Sequence, residues 1–294
     1  MKSTLPTVEG VGPSSQWLPA GPWESVLDFL KERFIGVETA TWLSRMAKGQ
    51  VVDETGLRLN PASPYRAGAC IFYYRELESE TRIPFAERVL YQDEHLLVVD
   101  KPHFLPVVPA GRFLHQTLLV RLKKQGQPEA LVPVHRLDRE TAGVVLFSLN
   151  PATRGLYTSL FRQRKVKKIY EALAPTHPQL GFPLTRRSRL VTGEPFFRMK
   201  EIEGEPNSET RVDVLKKING LTLYQLSPVT GRKHQLRLHL SALGMPVVND
   251  RLYPLMMDEA ADDFSNPLKL LAKSISFEDP VTGRERHFES ERTL

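Results

Sequence analysis

The residues of this 294-residue chain best suited to chemistry are a carboxylate between two guanidinium groups. His135-Arg136-Leu137-Asp138-Arg139-Glu140-Thr141-Ala142-Gly143 runs directly into Val144-Val145-Leu146-Phe147. The polar part reads as a loop. The four apolar residues are too few for a lone helix and suit a buried strand. Gly143 at the junction fits a tight turn or a close backbone approach. Asp138 therefore sits just ahead of a rigid element, with Arg136 and Arg139 on either side. Two uses are open to it: a surface-turn aspartate paired with an arginine, or an ionised carboxylate positioned to attack carbon or take a proton.

This loop resembles the HRLD-x-x-T-[SA]-G signature of the RluA-type pseudouridine synthases. Two further blocks follow in that family's order. One is Lys168-Ile169-Tyr170-Glu171-Ala172. The other is Thr230-Gly231-Arg232-Lys233-His234-Gln235-Leu236-Arg237-Leu238-His239, continuing to Asn249-Asp250-Arg251-Leu252-Tyr253. Each block alone is a weak signal, whereas three in order are specific, and the resemblance extends from about Val89 to the C-terminus.

The resemblance implies an enzyme that detaches uracil from its ribose in RNA, turns the base and rejoins it through carbon. It implies an α+β fold, with a mixed, mainly antiparallel sheet flanked by helices and loops and a small α/β appendage before it. It makes Asp138 the catalytic residue, Arg237 its charge partner and Tyr170 the active-site tyrosine. Arg136 resembles the arginine that fills the gap left by the extruded base, and Arg232 is placed for a phosphate contact. Neither cofactor nor metal is implied. One departure is Asn249-Asp250, where the family usually has Gly-Asp; Asn tolerates the left-handed backbone that Gly would take.

The physical requirements agree with these assignments. A carboxylate buried in a water-poor pocket is pushed toward its neutral form, and a nearby guanidinium counters that. Arginine's planar fork can hold a carboxylate through two parallel hydrogen bonds, which lysine cannot do. A tyrosine ring can stack on a flipped base, with its hydroxyl near C5, where a proton must leave. His135, His234, Gln235 and His239 are expected to be scaffold. The i,i+5 spacing of His234 and His239 argues against a shared metal. Two other activities compete with the isomerase: an N-glycosylase using the same aspartate, and an RNA-binding or RNA-folding factor without catalysis.

Composition sets the frame around this site. Lys+Arg 40 against Asp+Glu 34 gives a net charge of +6, which favours a polyanionic partner such as structured rRNA or tRNA. The single cysteine, Cys70, excludes an intrachain disulfide and fits a reducing, cytoplasmic setting. No apolar run approaches membrane-spanning length, so no membrane partner is expected. A monomer is expected. Residues 1–22, rich in Pro, Gly and Ser, predict a mobile or extended tail.

Residues 23–85 read as a small N-terminal domain. Apolar spacing predicts a helix over 24–34 and a second over 39–46, followed by a hairpin over 51–59 and a strand over 69–74. This pattern faintly resembles the RNA-binding domain named after a ribosomal small-subunit protein. Its basic residues Lys31, Arg33, Arg45 and Lys48 are few, so a helical cap is the equal alternative.

Residues 86–294 read as the catalytic domain. Val89–Tyr91 and Leu96–Val99 form a strand, turn and strand closed by Asp100-Lys101-Pro102, with Lys101 expected at a solvated strand end. Asn150-Pro151 predicts an N-cap for a helix ending near Gln163. Arg162, Arg164, Lys165, Lys167 and Lys168 then cluster, as a solvated surface or a phosphate track. Residues 178–207 read as irregular loops or a short hairpin. Two strands should pair across Asn219-Gly220. A helix carrying Leu236, Leu240 and Leu243 should end at Gly244. Leu268–Ser276 and a hairpin across Thr282-Gly283 complete the chain.

Overall fold

The computed structural model describes residues 6–77, 79–257 and 263–294. The chain divides into two units, Met1–Glu80 with Pro109–His115, and Thr81–Val108 with Gln116–Leu294. None of the described helices is long and apolar enough to cross a membrane.

In the smaller unit, apolar periodicity yields two short helices, α1 (Val26–Arg33) and α2 (Thr39–Ala47). The Ser25 hydroxyl caps α1 by accepting from Asp28 N–H at 3.1 Å. The helices bury Val26, Phe29, Leu30, Trp42 and Met46 against a three-stranded sheet. Its strands are β1 (Ser14–Trp17), β2 (Val51–Asp53) and β3 (Cys70–Tyr73).

Strand β1 corrects the expectation of a tail over residues 1–22, of which residues 1–5 lie outside the described residues. Ser14–Trp17 pairs antiparallel with β3, and Leu18 beyond it is buried. A partner strand and one apolar anchor order this segment despite its composition. Two of the basic residues of this unit are engaged internally. Arg45 is buried, its guanidinium 4.9 Å over the Trp42 ring. Lys48 pairs with Glu76 at 3.2 Å.

The larger unit is built on an eleven-stranded sheet. Its strands are β4 (Arg88–Gln92), β5 (Leu96–Lys101), β6 (Val132–Pro133), β7 (Ala142–Ser148), β8 (Lys167–Pro175), β9 (Leu184–Thr192), β10 (Met199–Ile202), β11 (Ser208–Ile218), β12 (Leu221–Pro228), β13 (Leu270–Glu278) and β14 (Glu285–Glu289). The order is β10-β9-β11-β12-β8-β13-β7-β5-β4, with β14 on β13 and β6 on β7. All the pairings are antiparallel except β13 with β7. This is the mixed, mainly antiparallel α+β architecture that the resemblance implied.

Three helices flank this sheet: α3 (Leu118–Lys124), α4 (Arg154–Arg162) and α5 (Gln235–Ala242). The turn at Asn219-Gly220 has φ of 46° and 80°, the left-handed pair that a two-residue hairpin needs. Gly244 ends α5 with φ of 76°. Within residues 178–207, expected to be irregular loops or a short hairpin, β9 and β10 form a hairpin paired over Arg189–Thr192 and Met199–Ile202. Regular α4 starts at Arg154; ahead of it Asn150 caps the entering turn, its side chain accepting from Ala152 N–H at 2.9 Å and its carbonyl from Arg154 N–H at 3.1 Å.

The parallel contact between β7 and β13 explains Gly143. Its φ is 115°, and a Cβ there would lie 2.2 Å from the Ala272 carbonyl oxygen. The three nearest atoms are all Ala272 backbone, so none can move aside cheaply. Gly143→Ala should lower stability by about 3 kcal/mol, combining left-handed strain with overpacking. A urea titration checks this, and an unchanged midpoint would mean that the strand pair is more yielding than it looks.

Candidate active site

Strand β7 is buried along its whole length and anchors the loop that precedes it. Lys101, at the end of β5, is wholly buried rather than solvated as expected. Its three N–H donors reach the carbonyls of Pro102 at 3.0 Å, Leu105 at 2.8 Å and Arg139 at 3.0 Å. Burial draws its pKa down to about 7, while the nearby Glu140 and Asp138 carboxylates favour the ammonium that makes these bonds. The His103 Nδ1–H donates to the Glu140 carbonyl at 2.7 Å. Two side chains thus grip the backbone just after Asp138, and Thr141 N–H donates to the Asp138 carbonyl at 3.2 Å. On the other side, His135 Nε2 accepts from Leu146 N–H at 3.1 Å, and its ring stacks on Phe161. Burial pushes His135 down to about 3, so it acts as a neutral brace.

The Asp138 side chain faces Arg237 and His234. Arg237 Nη1 lies 3.8 Å from one carboxylate oxygen, and His234 Nε2 lies 4.0 Å from the other. The expected two-pronged hold of Arg237 on Asp138 is therefore corrected. The Nε and Nη2 edge of Arg237 grips Asp250 instead, at 2.7 and 2.6 Å. Asp250 also accepts from Leu252 N–H at 2.8 Å and Tyr253 N–H at 3.1 Å. Of the guanidinium's two two-donor edges, Nε/Nη2 and Nη1/Nη2, the first is taken by the fully buried Asp250, and only Nη1 of the second comes near Asp138. What remains for Asp138 is one Nη1 corner, a Coulombic neighbour rather than a hydrogen-bonded clamp.

His234 opens α5 in the left-handed conformation, with φ of 54°. Tyr253 hydroxyl lies 3.0 Å from its Nδ1 and accepts from Met199 N–H at 2.8 Å. Burial draws His234 down to about 4, so it stands beside Asp138 as a neutral ring near pH 7. Gln235 and His239 serve the scaffold as expected. Gln235 bridges Thr230, Arg232, Glu209 and Thr210, and His239 bonds Thr210 and Ser208, both at 2.9 Å.

One cleft is lined by Arg136, Asp138, Lys168, Tyr170, Arg232, His234 and Arg237. Tyr170 arrives on β8, between β12 and β13. Burial, and then the negative charge of Asp138, push its hydroxyl well above the usual phenol range, so the phenol stays protonated. Lys168 points the same way and donates to the Thr230 carbonyl at 3.2 Å; burial lowers its pKa. The rest of the basic cluster is elsewhere: Arg162, Arg164, Lys165 and Lys167 are exposed and do not line the cleft. Asn249 adopts φ of 64°, the left-handed geometry expected of it.

The sequence reading missed Asp250, Tyr253 and the position of His234. The first two lie in the quoted third block, but spacing does not say which of two aspartates an arginine will grip. The arrangement offers an accessible carboxylate, a neutral phenol and a buried cation around a space open to solvent. It suits attack on, or proton transfer from, a flat polar substrate that supplies its own anionic tether.

Comparison with known proteins places this cleft in a context. The family described as RNA pseudouridylate synthase matches residues 95–242. An RNA pseudouridine synthase of Synechocystis sp. is 31% identical over 245 residues, covering 78% of this chain and 79% of that protein. The dual-specificity RNA pseudouridine synthase RluA of Haemophilus influenzae is 34% identical over 205 residues, covering 68% and 90% respectively. The solved structure of human RNA pseudouridylate synthase domain containing 1 superimposes with a TM-score of 0.59 at 26% identity, covering 73% of this chain and 86% of that one.

Proposed function

The chain belongs to the RNA pseudouridylate synthase family, and from that premise we propose that its larger unit converts uridines in structured ribosomal or transfer RNA through Asp138. The observation that supports the assignment is the convergence of Asp138, Tyr170 and Arg237, from three distant parts of the sequence, on one cleft. The reaction breaks the C1′–N1 bond, joins C1′ to C5, sheds the C5 proton and returns a proton to N1. No oxidant or cofactor is consumed. Asp138 supplies the ionised carboxylate, as nucleophile or base, and Arg237 keeps that charge affordable. The Tyr170 ring stacks on the uracil, and its protonated hydroxyl bears on C5 as a hydrogen-bonding group rather than as a phenolate. A paired uridine cannot reach the cleft, so it must first be turned out of its stack. Arg136, exposed at the mouth, takes up the space it leaves, and Arg232 meets a phosphate. A monomer working in the cytoplasm completes the proposal.

The exposed residues Arg162, Arg164, Lys165 and Lys167, with Lys168 at the cleft, are assigned to the RNA backbone. Each glutamine substitution should lower the slope of log affinity against log salt by about 0.7–0.9. Unchanged slopes would leave these residues as solvated surface.

The test of the function is to map pseudouridine in total RNA from cells with and without this protein. Particular uridines should lose the modification when the protein is absent. Identical maps would overturn the proposal.

A further inference from the structure

The hairpin of β9 and β10 ends in Glu194-Pro195-Phe196-Phe197, and the protein core makes little use of those two rings. Phe196 is 81% exposed and Phe197 39%. The turn itself is tightly built: Gly193 N–H donates to the Arg198 carbonyl at 3.0 Å, and Arg198 N–H to the Pro195 carbonyl at 2.8 Å. The rings stand edge to face, with centroids 5.7 Å apart. Two large apolar side chains held in water on a rigid turn expose surface that a contact would otherwise cover.

This turn is tied to the cleft. Arg198 Nη2 donates to the Pro254 carbonyl at 3.2 Å, and its guanidinium lies 5.2 Å over the Tyr253 ring. Tyr253 also receives Met199 N–H and reaches His234, which faces Asp138. Leu255, which follows Pro254, is 78% exposed. Arg198 Nε is buried without a hydrogen-bond partner among the described residues. Exposed Arg189 and Lys200 stand on the two strands of the same hairpin.

We infer that Phe196 and Phe197 form a stacking surface for an unpaired nucleobase flanking the target uridine. This rests on the reading that RNA enters the Asp138 cleft. Once a uridine is turned into the cleft, its neighbours lose a stacking partner and leave along the surrounding surface. A pair of exposed rings on a hairpin whose strands carry exposed Arg189 and Lys200, with Glu194 the one acid in the turn, suits such a base, because every base has a π-face and its strand is anionic.

The experiment uses the full chain, the Phe196→Ala/Phe197→Ala double variant, and single Phe196→Ala and Phe196→Trp variants. The probes are a stem-loop RNA with an unpaired uridine-containing loop and a fully paired duplex of the same strand length. The double variant should bind the stem-loop at least about fivefold more weakly. Its salt slope should not change, because no charge is lost. Duplex binding should be unchanged, and Phe196→Trp should bind the stem-loop like the unaltered chain. The single Phe196→Ala variant, altered at a ring in water, guards against misfolding of the double one. Equal binding of the stem-loop by all variants overturns the inference and leaves the rings for a protein partner. Equal losses on stem-loop and duplex also overturn it, as does failure of the unaltered chain to bind the stem-loop. Pseudouridine mapping separates this from the function itself. An unaltered chain that makes no pseudouridine yet shows the stem-loop effect loses only the catalytic reading. Pseudouridine formation with indifferent variants removes only the stacking surface.

Discussion

Asp138→Asn should fold as the unaltered protein does, keep its RNA affinity and lose isomerisation by at least about 10⁴-fold. The loop geometry carries this expectation. The backbone around Asp138 is held by Lys101 on Arg139, His103 on Glu140 and His135 on Leu146, none of which touches the carboxylate. The nearest cation, Arg237 Nη1 at 3.8 Å, already has its main partner in Asp250. An amide at position 138 therefore strands no buried charge, and its side chain is partly exposed in any case. What it removes is the lone pair that attacks carbon or accepts a proton, which an amide cannot replace. Thermal melting and filter binding check the first two parts of the expectation.

Arg237→Met should fail more broadly. The side chains of Arg237 and Asp250 are 2% and 1% exposed, and removing the guanidinium leaves a buried carboxylate with only backbone donors. Breaking such a pair from one side costs about 3–5 kcal/mol. Turnover should also vanish, because the cleft loses the guanidinium that faces the Asp138 carboxylate at 3.8 Å. The double variant Arg237→Met/Asp250→Asn separates the two effects. The amide oxygen still accepts from Leu252 and Tyr253 without carrying charge, so denaturant titration should show much of the stability restored while turnover stays absent. A single Arg237→Met protein as stable as the unaltered one would mean that Asp250 finds another partner or takes up a proton at little cost.

The contrast between these variants marks how far the sequence could be read. The carboxylate loop, the Tyr170 strand and the Arg237 helix were legible because turn chemistry and apolar spacing are local, and so was the Asn219-Gly220 hairpin. The partner of Arg237 was not, because Asp138 and Asp250 reach it only through the folded sheet. Lys101 read as a strand end in water, since no local signal says that three carbonyls will close over it. Helix α3 went unread: two turns are too short to display a helical period, and burial of Leu118, Val120 and Leu122 holds it in place. For β9 and β10 only a short hairpin or loops could be read, because the many arginines hide the strand pattern; two of them are matched across strands, Arg186 by Glu201 at 2.5 Å and Arg187 by Glu209 at 2.9 Å.

The central claim is that Asp138 carries the isomerisation of uridine in RNA, and release of tritium from C5-labelled uridine tests it most directly. Transcripts or cellular RNA labelled at C5 are incubated with the unaltered protein and with Asp138→Asn at equal bound RNA. Isomerisation replaces the covalent C5–H bond with a C5–C1′ bond, so the unaltered protein should release tritium to water while the base stays attached to the RNA. Asp138→Asn should release none above buffer. Tritium release by Asp138→Asn at a substantial fraction of the unaltered rate would contradict the assignment, and labelled free uracil from the unaltered protein would identify a glycosylase instead.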